Sequence, residues 1–199
     1  MSDVTVVVLA KTPQLGKVKT RLAKRVGHRR ALVCHKQLVR HTLAEVEKSG
    51  LQRQLFVGGR RNHPLWLAAM QRGWSIRQQV SGDLGQRMLQ ASTSVPGPTI
   101  ILGCDFPGLT AELLKQAATA LKNNAVVLIA ADDGGYVLLG SQLPPQPLLS
   151  AMPWGSDAVL SKTRQKARSN HLPLKVLGTM SDLDTARDWH IARRNNWLK

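Results

Sequence analysis

The chain has only twelve acidic residues against 28 lysines and arginines, so the positions of the acids carry information. Several stand in glycine-flanked turns: Asp83 in Gly82-Asp83-Leu84-Gly85, Asp105 in Gly103-Cys104-Asp105-Phe106-Pro107-Gly108, and Asp132-Asp133 before Gly134-Gly135. Acids that only solvate a surface usually ride on helix faces, and these do not. Asp105 has the chemistry of a hard oxygen ligand for Mg²⁺ or Mn²⁺. The competing reading is a turn aspartate bonded to its own backbone. Asp184, in Ser181-Asp182-Leu183-Asp184-Thr185, offers a second carboxylate or the N-cap of a last helix. In Asp132-Asp133-Gly134-Gly135-Tyr136 the glycines permit close approach of a ligand to the backbone. An acid there can orient a hydroxyl or act as a base. A plain hairpin accounts for the glycines but not for the paired acids.

A second segment, Lys11-Thr12-Pro13-Gln14-Leu15-Gly16-Lys17-Val18-Lys19-Thr20-Arg21, joins a Gly/Pro turn to four cations. Such a loop can wrap phosphates with backbone N–H groups and close over them with Lys and Arg. It is not a P-loop, because the first glycine is missing and Val18 stands where Ser or Thr should follow Gly16-Lys17. The histidines are weaker signals. His28, His35 and His41 include no i,i+4 pair for a metal, and they read as helix-surface residues. Trp154, in Met152-Pro153-Trp154-Gly155-Ser156, reads either as a pocket wall or as a core tryptophan.

These segments need elements to hold them. Val4–Ala10 is a near-continuous apolar run, as expected for a strand buried on both faces of a parallel sheet. Gln54–Val57, Thr99–Leu102, Ala125–Ala131, Tyr136–Gly140 and Leu174–Leu177 read the same way. Helical periodicity lies between them. Ala31/Leu32, His35, Leu38/Val39, Thr42/Leu43 and Val46 form one stripe, with Gly50 as a C-terminal cap. Thr110 can cap a helix carrying Leu113/Leu114, Ala117/Ala118 and Leu121. A third helix is predicted after Ser156, with Val159/Leu160, Thr163 and Ala167 inward, and a fourth after Asp184. The Pro-rich stretch from Leu143 to Pro147 reads as a connector. Alternating strands and helices predict a doubly wound α/β fold, in which ligands bind beyond the carboxyl ends of the strands. Lys11–Arg21, Asp105 and Asp132-Asp133 each follow a predicted strand, so all three are expected at one edge.

Bulk properties limit the alternatives. At 199 residues and 43 % apolar, the chain can bury a substantial core and is not intrinsically disordered. No stretch approaches the ~20 apolar residues of a membrane span, which predicts a soluble protein. The two cysteines, Cys34 and Cys104, form no framework and suit a reducing, cytoplasmic setting. Of the net charge of +16, residues 1–82 hold sixteen cations and three acids. Such a half attracts anions. Nothing resembles a helix-turn-helix, zinc or RNP signature, and aromatics are only 4 %, so specific nucleic-acid binding is not expected.

In order, Lys11–Leu22, Gly82–Met88, Gly103–Leu109, Asp132–Gly140, Pro153–Thr163 and Ser181–Thr185 resemble a bacterial family of small GT-A-like transferases. These are related to nucleotide-diphospho-sugar transferases, and some are linked to arsenosugar biosynthesis. The resemblance implies a three-layer α/β/α sandwich around a mostly parallel sheet, as a single domain over 1–199. A nucleotide-binding half of about 1–108 and an acceptor half of about 109–199 are expected. Asp105 and Asp184 would hold Mg²⁺ or Mn²⁺. Lys11, Gly16, Lys17, Lys19, Arg21 and Asp83 would bind the nucleotide and its phosphates. Asp133 and Asp132 would be catalytic, and Gly134, Gly135, Tyr136 and Trp154 would line an acceptor pocket. The implied reaction is glycosyl transfer from a nucleoside-diphosphate sugar to a small hydroxyl acceptor. The alternative is nucleotidyl transfer from an NTP to a phosphorylated small molecule, releasing pyrophosphate. The chain departs from the family pattern at Cys104 and Phe106, at Asp132 where Glu is usual, and at Ala186-Arg187-Asp188 after Asp184.

Overall fold

Alternation along the first strand determines the layering. In the computed structural model, which describes residues 4–183 and Asp188, β1 (Thr5–Lys11) sends Val6, Val8 and Ala10 to one side and Val7 to the other. Neither side reaches water, so helices must cover both. On the first side lie α2 (His28–Ser49), α3 (Pro64–Gln71) and α5 (Ala111–Ala120), which contribute Val39, Leu43, Val46, Trp66, Ala69, Leu114 and Ala117. On the second lie α4 (Leu84–Thr93), α6 (Gln146–Leu149) and α7 (Val159–Ser169), with Met88, Ala91, Leu148, Leu149 and Ala167.

The remaining elements are α1 (Thr20–Val26), β2 (Gln52–Gly58), β3 (Ser75–Gln78), β4 (Thr99–Leu102), β5 (Val126–Ala131), β6 (Tyr136–Ser141) and β7 (Leu174–Met180). The seven strands form one sheet in the order β3-β2-β1-β4-β6-β5-β7. All pairings are parallel except those of β6, which runs antiparallel to both β4 and β5. This is the mostly parallel three-layer sandwich expected from the sequence. The expected helix caps also form: Gly50 closes α2 at φ 71°, and the Thr110 side chain accepts from Leu113 N.

Several elements were not legible. β3 is a four-residue edge strand with mostly exposed side chains, so it carries no apolar run. α4 begins at Asp83, whose surroundings read as a loop. The Pro-rich stretch contains α6, which buries Leu148 and Leu149. The helix predicted after Asp184 lies outside the described residues. No described helix is long and apolar enough to cross a membrane.

Trp66 joins the core to the functional edge. Its ring is fully buried, and its Nε1 donates to Thr12 Oγ1 (3.1 Å), which donates to Arg60 O (3.0 Å). Trp66→Ala should cost about 3–5 kcal/mol through cavity formation, measured by denaturant unfolding. Trp66→Phe should restore most of it while leaving Thr12 without its donor.

Candidate active site

A cleft of about 500 Å³ opens at the carboxyl edge of β1, β4 and β5. Its floor is built around one ion pair. Lys19 Nζ lies 2.8 Å from Asp105 Oδ1 and also donates to Leu183 O at 2.6 Å. Leu183 N in turn donates to Asp105 O at 2.7 Å. The Lys19 side chain is only 3 % exposed, whereas that of Asp105 is 56 % exposed, opening onto the cleft. Lys19 sits at the start of α1 in a left-handed conformation (φ 47°, ψ 45°), which turns the chain from the basic loop into the helix. Burial would raise the Asp105 carboxyl, but the charge and hydrogen bond of Lys19, aided by His35 and Lys11, outweigh it and hold the group below its ordinary value.

The basic loop is anchored from behind. Thr12 N donates to Gly58 O (2.8 Å), and His35 Nε2 lies 2.9 Å from Lys11 O. His35 is therefore not a surface residue. It is 5 % exposed because its position on α2 faces the inner stripe, and burial depresses its pKa. Lys11 and Arg21 line the cleft. Gly16 and Lys17 are exposed at the loop tip, outside the lining. Lys19 lines the cleft, but its ammonium is engaged with Asp105 and Leu183.

The Asp132–Gly135 turn connects β5 to β6 and brings Asp133, Gly135 and Tyr136 to the opposite wall. Asp133 Oδ1 accepts from Gly135 N (3.0 Å). Asp132 lies outside the cleft lining and accepts a hydrogen bond from Ser181 Oγ. Gly134 serves packing rather than ligand approach. Its φ is 86°, and an added Cβ would stand 2.2 Å from Asp157 O. Trp154 joins this wall, edge-on to Tyr136 at 6.3 Å between centroids. Burial raises the Tyr136 phenol, which stays protonated. Burial, with the charge of Asp105, likewise raises the Cys104 thiol.

Asp83 occupies a different place from the one expected. It is the N-cap of α4, accepting from Gln86 N (2.8 Å) while Gln86 Oε1 accepts from Asp83 N (2.9 Å), and it does not line the cleft. The Gly82-Asp83-Leu84-Gly85 motif is thus a capping box. Residues to which the sequence analysis gave no site role also line the cleft: His35, Gln79, Arg87, Ser156 and Asp182. Arg87 lies inside the Gly82–Met88 motif and Asp182 inside Ser181–Thr185. Gln79 has no sequence signal.

Among the described residues no three His, Cys, Asp or Glu side chains group to hold a metal. Asp184 lies outside them. The donor set nevertheless fits Mg²⁺ or Mn²⁺, since such ions are commonly held by one or two carboxylates together with substrate phosphates. Asp105 and Asp182 both face the cleft.

Residues 42–156 match a family described as "Uncharacterized protein conserved in bacteria (DUF2064)". The chain belongs to the DUF2064 family. No curated protein matches it significantly. Its fold is shared with a protein of Desulfovibrio desulfuricans assigned as a nucleotide-diphospho-sugar transferase, at TM-score 0.86 and 27 % identity over 98 % of this chain and 88 % of that one. It is also shared with 4-diphosphocytidyl-2C-methyl-D-erythritol synthase of Anaerococcus prevotii, at TM-score 0.65 and 12 % identity over 98 % of each chain. Mycobacterium tuberculosis Rv0371c, in complex with manganese, has TM-score 0.58 and 16 % identity over 96 % of this chain and 97 % of its own. The DUF2064 chain thus has the fold of transferases that act with nucleotides.

Two outcomes follow from the geometry. Removing Lys19 should leave burial opposed only by the more distant charges of His35 and Lys11, so Lys19→Met should raise the Asp105 carboxyl's pKa, read by carboxyl NMR titration. Because the native pKa is depressed, the ion pair stabilises at neutral pH and fades as pH falls through that value. The stability gap between wild type and Lys19→Met should therefore narrow in acid, and remain modest because Asp105 is half exposed. Asp83→Ala should cost about 1 kcal/mol, or roughly 2–4 °C in Tm, without changing nucleotide affinity.

Proposed function

We propose that the protein transfers a sugar from a nucleoside-diphosphate donor to a small hydroxyl acceptor. The observation that carries this reading is the meeting, in one cleft, of an acidic floor at Asp105, a cationic rim at Lys11 and Arg21, and an opposite wall holding Asp133 beside Tyr136 and Trp154. In this reading residues of about 1–108 hold the donor and those of about 109–199 shape the acceptor side. Lys11 and Arg21, with Lys17 from the loop tip, bind the diphosphate oxygens. Lys19 keeps Asp105 ionised and fixed. Asp105 and Asp184 would hold Mg²⁺ or Mn²⁺, which when bound neutralises charge on the departing diphosphate. Leu183 N on Asp105 O supports Asp184 in this role, because the hydrogen bond ties the preceding residue to Asp105. Asp133 accepts the acceptor's hydroxyl proton as its oxygen bonds to the anomeric carbon, and the nucleoside diphosphate leaves with the electron pair of the broken bond. Asp132 holds the turn through Ser181 rather than touching substrate. Tyr136 and Trp154 give the sugar an apolar wall.

Calorimetry with Mn²⁺ tests the proposal. UDP- or GDP-sugars should bind at least as tightly as the matching triphosphates, and turnover should release nucleoside diphosphate. Asp105→Asn should abolish the metal-dependent part of the affinity. Preference for a triphosphate, with pyrophosphate released only in the presence of a phosphorylated partner, would replace glycosyl by nucleotidyl transfer.

A further inference from the structure

Gln79 directly follows β3, and its side chain lines the same cleft as the basic loop and the Asp133 wall. Both hydrogens of its amide are committed. Nε2 donates to Ala10 O at 3.2 Å and to Phe56 O at 2.9 Å, bridging the ends of β1 and β2. Two carbonyl partners remove the usual ambiguity of an amide, because the opposite orientation would set oxygen against oxygen. Oε1 is therefore fixed as an acceptor. Among the described residues nothing donates to it, and it is not sealed from the cleft. Its own backbone is pinned as well, since Gln79 N donates to Val57 O at 3.0 Å. A half-buried side chain whose amide is held at two points and whose backbone is held at a third, with only the amide acceptor unused, is arranged to take one N–H from a ligand.

Its position relative to the floor indicates which N–H. Ala10 and Phe56 lie on neighbouring strands, and β4, which leads to Asp105, is the next strand beyond β1. With strands about 4.8 Å apart, the Gln79 amide, set between β2 and β1, lies roughly 7–10 Å across the sheet from β4. Lys11 follows Ala10 directly, so the cationic rim lies between them. A ligand with its diphosphate at Lys11 and Asp105 extends a nucleoside from there toward Gln79. Every nucleobase carries a hydrogen-bond donor on its pairing edge, but at different positions (a ring N–H in uracil, an exocyclic amine in cytosine and adenine, both in guanine), so one fixed acceptor tells them apart.

We infer that Gln79 is the acceptor that reads the pairing-edge N–H of the donor's nucleobase. The assignment rests on the proposed donor and adds the base subsite to it. Gln79 then determines base preference, while the phosphate contacts, blind to the base, supply general affinity.

The test compares UDP, CDP, GDP, ADP and inorganic pyrophosphate by calorimetry with Mn²⁺, on wild type and on Gln79→Met, which retains the length without the amide. The variant should lose roughly three- to tenfold for the best nucleotide, one neutral hydrogen bond, and the spread among bases should collapse. Pyrophosphate should bind both proteins alike. A second arm leaves the protein untouched: methylating the pairing-edge donors of the preferred base (N3 of uracil, N1 and both N2 hydrogens of guanine, both amine hydrogens of cytosine or adenine) should cost wild type a similar factor. Equal losses for pyrophosphate and nucleotides, or full affinity for the methylated base, would overturn the assignment and leave Gln79 as a brace between strands. Failure of all five ligands to bind wild type would overturn the donor reading itself, and the base subsite with it.

Discussion

The Lys19–Asp105–Leu183 junction is the constraint on which the rest of the cleft depends. Three distant parts of the chain meet there: the loop after β1, the end of β4 and the segment after β7. A buried ammonium is tolerated only if paired, and Asp105 supplies the charge while the Leu183 carbonyl takes another hydrogen. The left-handed backbone at Lys19 would cost about 1–3 kcal/mol elsewhere, and it persists here because the side chain is held at its far end. With Lys19 held, the cationic loop has its exit direction; with Leu183 held, the segment from Ser181 to Leu183 is drawn to the sheet edge.

The reversal of β6 does the corresponding work on the other wall. A wholly parallel sheet would return the chain from β5 through a crossover helix and leave its carboxyl end bare. Inserting β6 antiparallel between β4 and β5 instead makes a tight turn at that end, so Asp133, Gly135 and Tyr136 stand beside the site. The turn closes only because Gly134 can pass against Asp157, which also fixes the start of α7 and the loop carrying Trp154.

What was legible in the sequence follows the strength of the underlying physics. β1, β4, β5 and β6 are buried on both faces, so their apolar runs were plain, and the α2 stripe followed from a 22-residue helix. β3 shows only an exposed edge, and short α6 hides behind prolines. Near the cleft, glycine-flanked acids after strands pointed to the sheet edge at which it opens. What they could not show was direction. Asp83 turns back to cap α4 through Gln86, only three residues on, whereas Asp132 turns to Ser181 and Lys19 turns inward because each is decided by a tertiary partner far away in sequence. Gln79 was silent for the same reason, since its meaning lies in the Ala10 and Phe56 carbonyls.

That inward turn of Lys19 also bears on how ligands would share the cleft. A divalent cation taken up by Asp105 would have to share one carboxylate with an ammonium 2.8 Å away, and two cations on a single negative charge repel each other. Lys11 and Arg21 at the rim add to that repulsion. A diphosphate between them reverses the balance, because its oxygens compensate the metal, the rim and Lys19 together. On electrostatic grounds, then, cation and nucleotide should each bind weakly alone and strongly as a pair, and linkage makes that coupling equal in both directions. The basic half of the chain would then serve as one side of a charge balance that closes only when the anionic donor arrives.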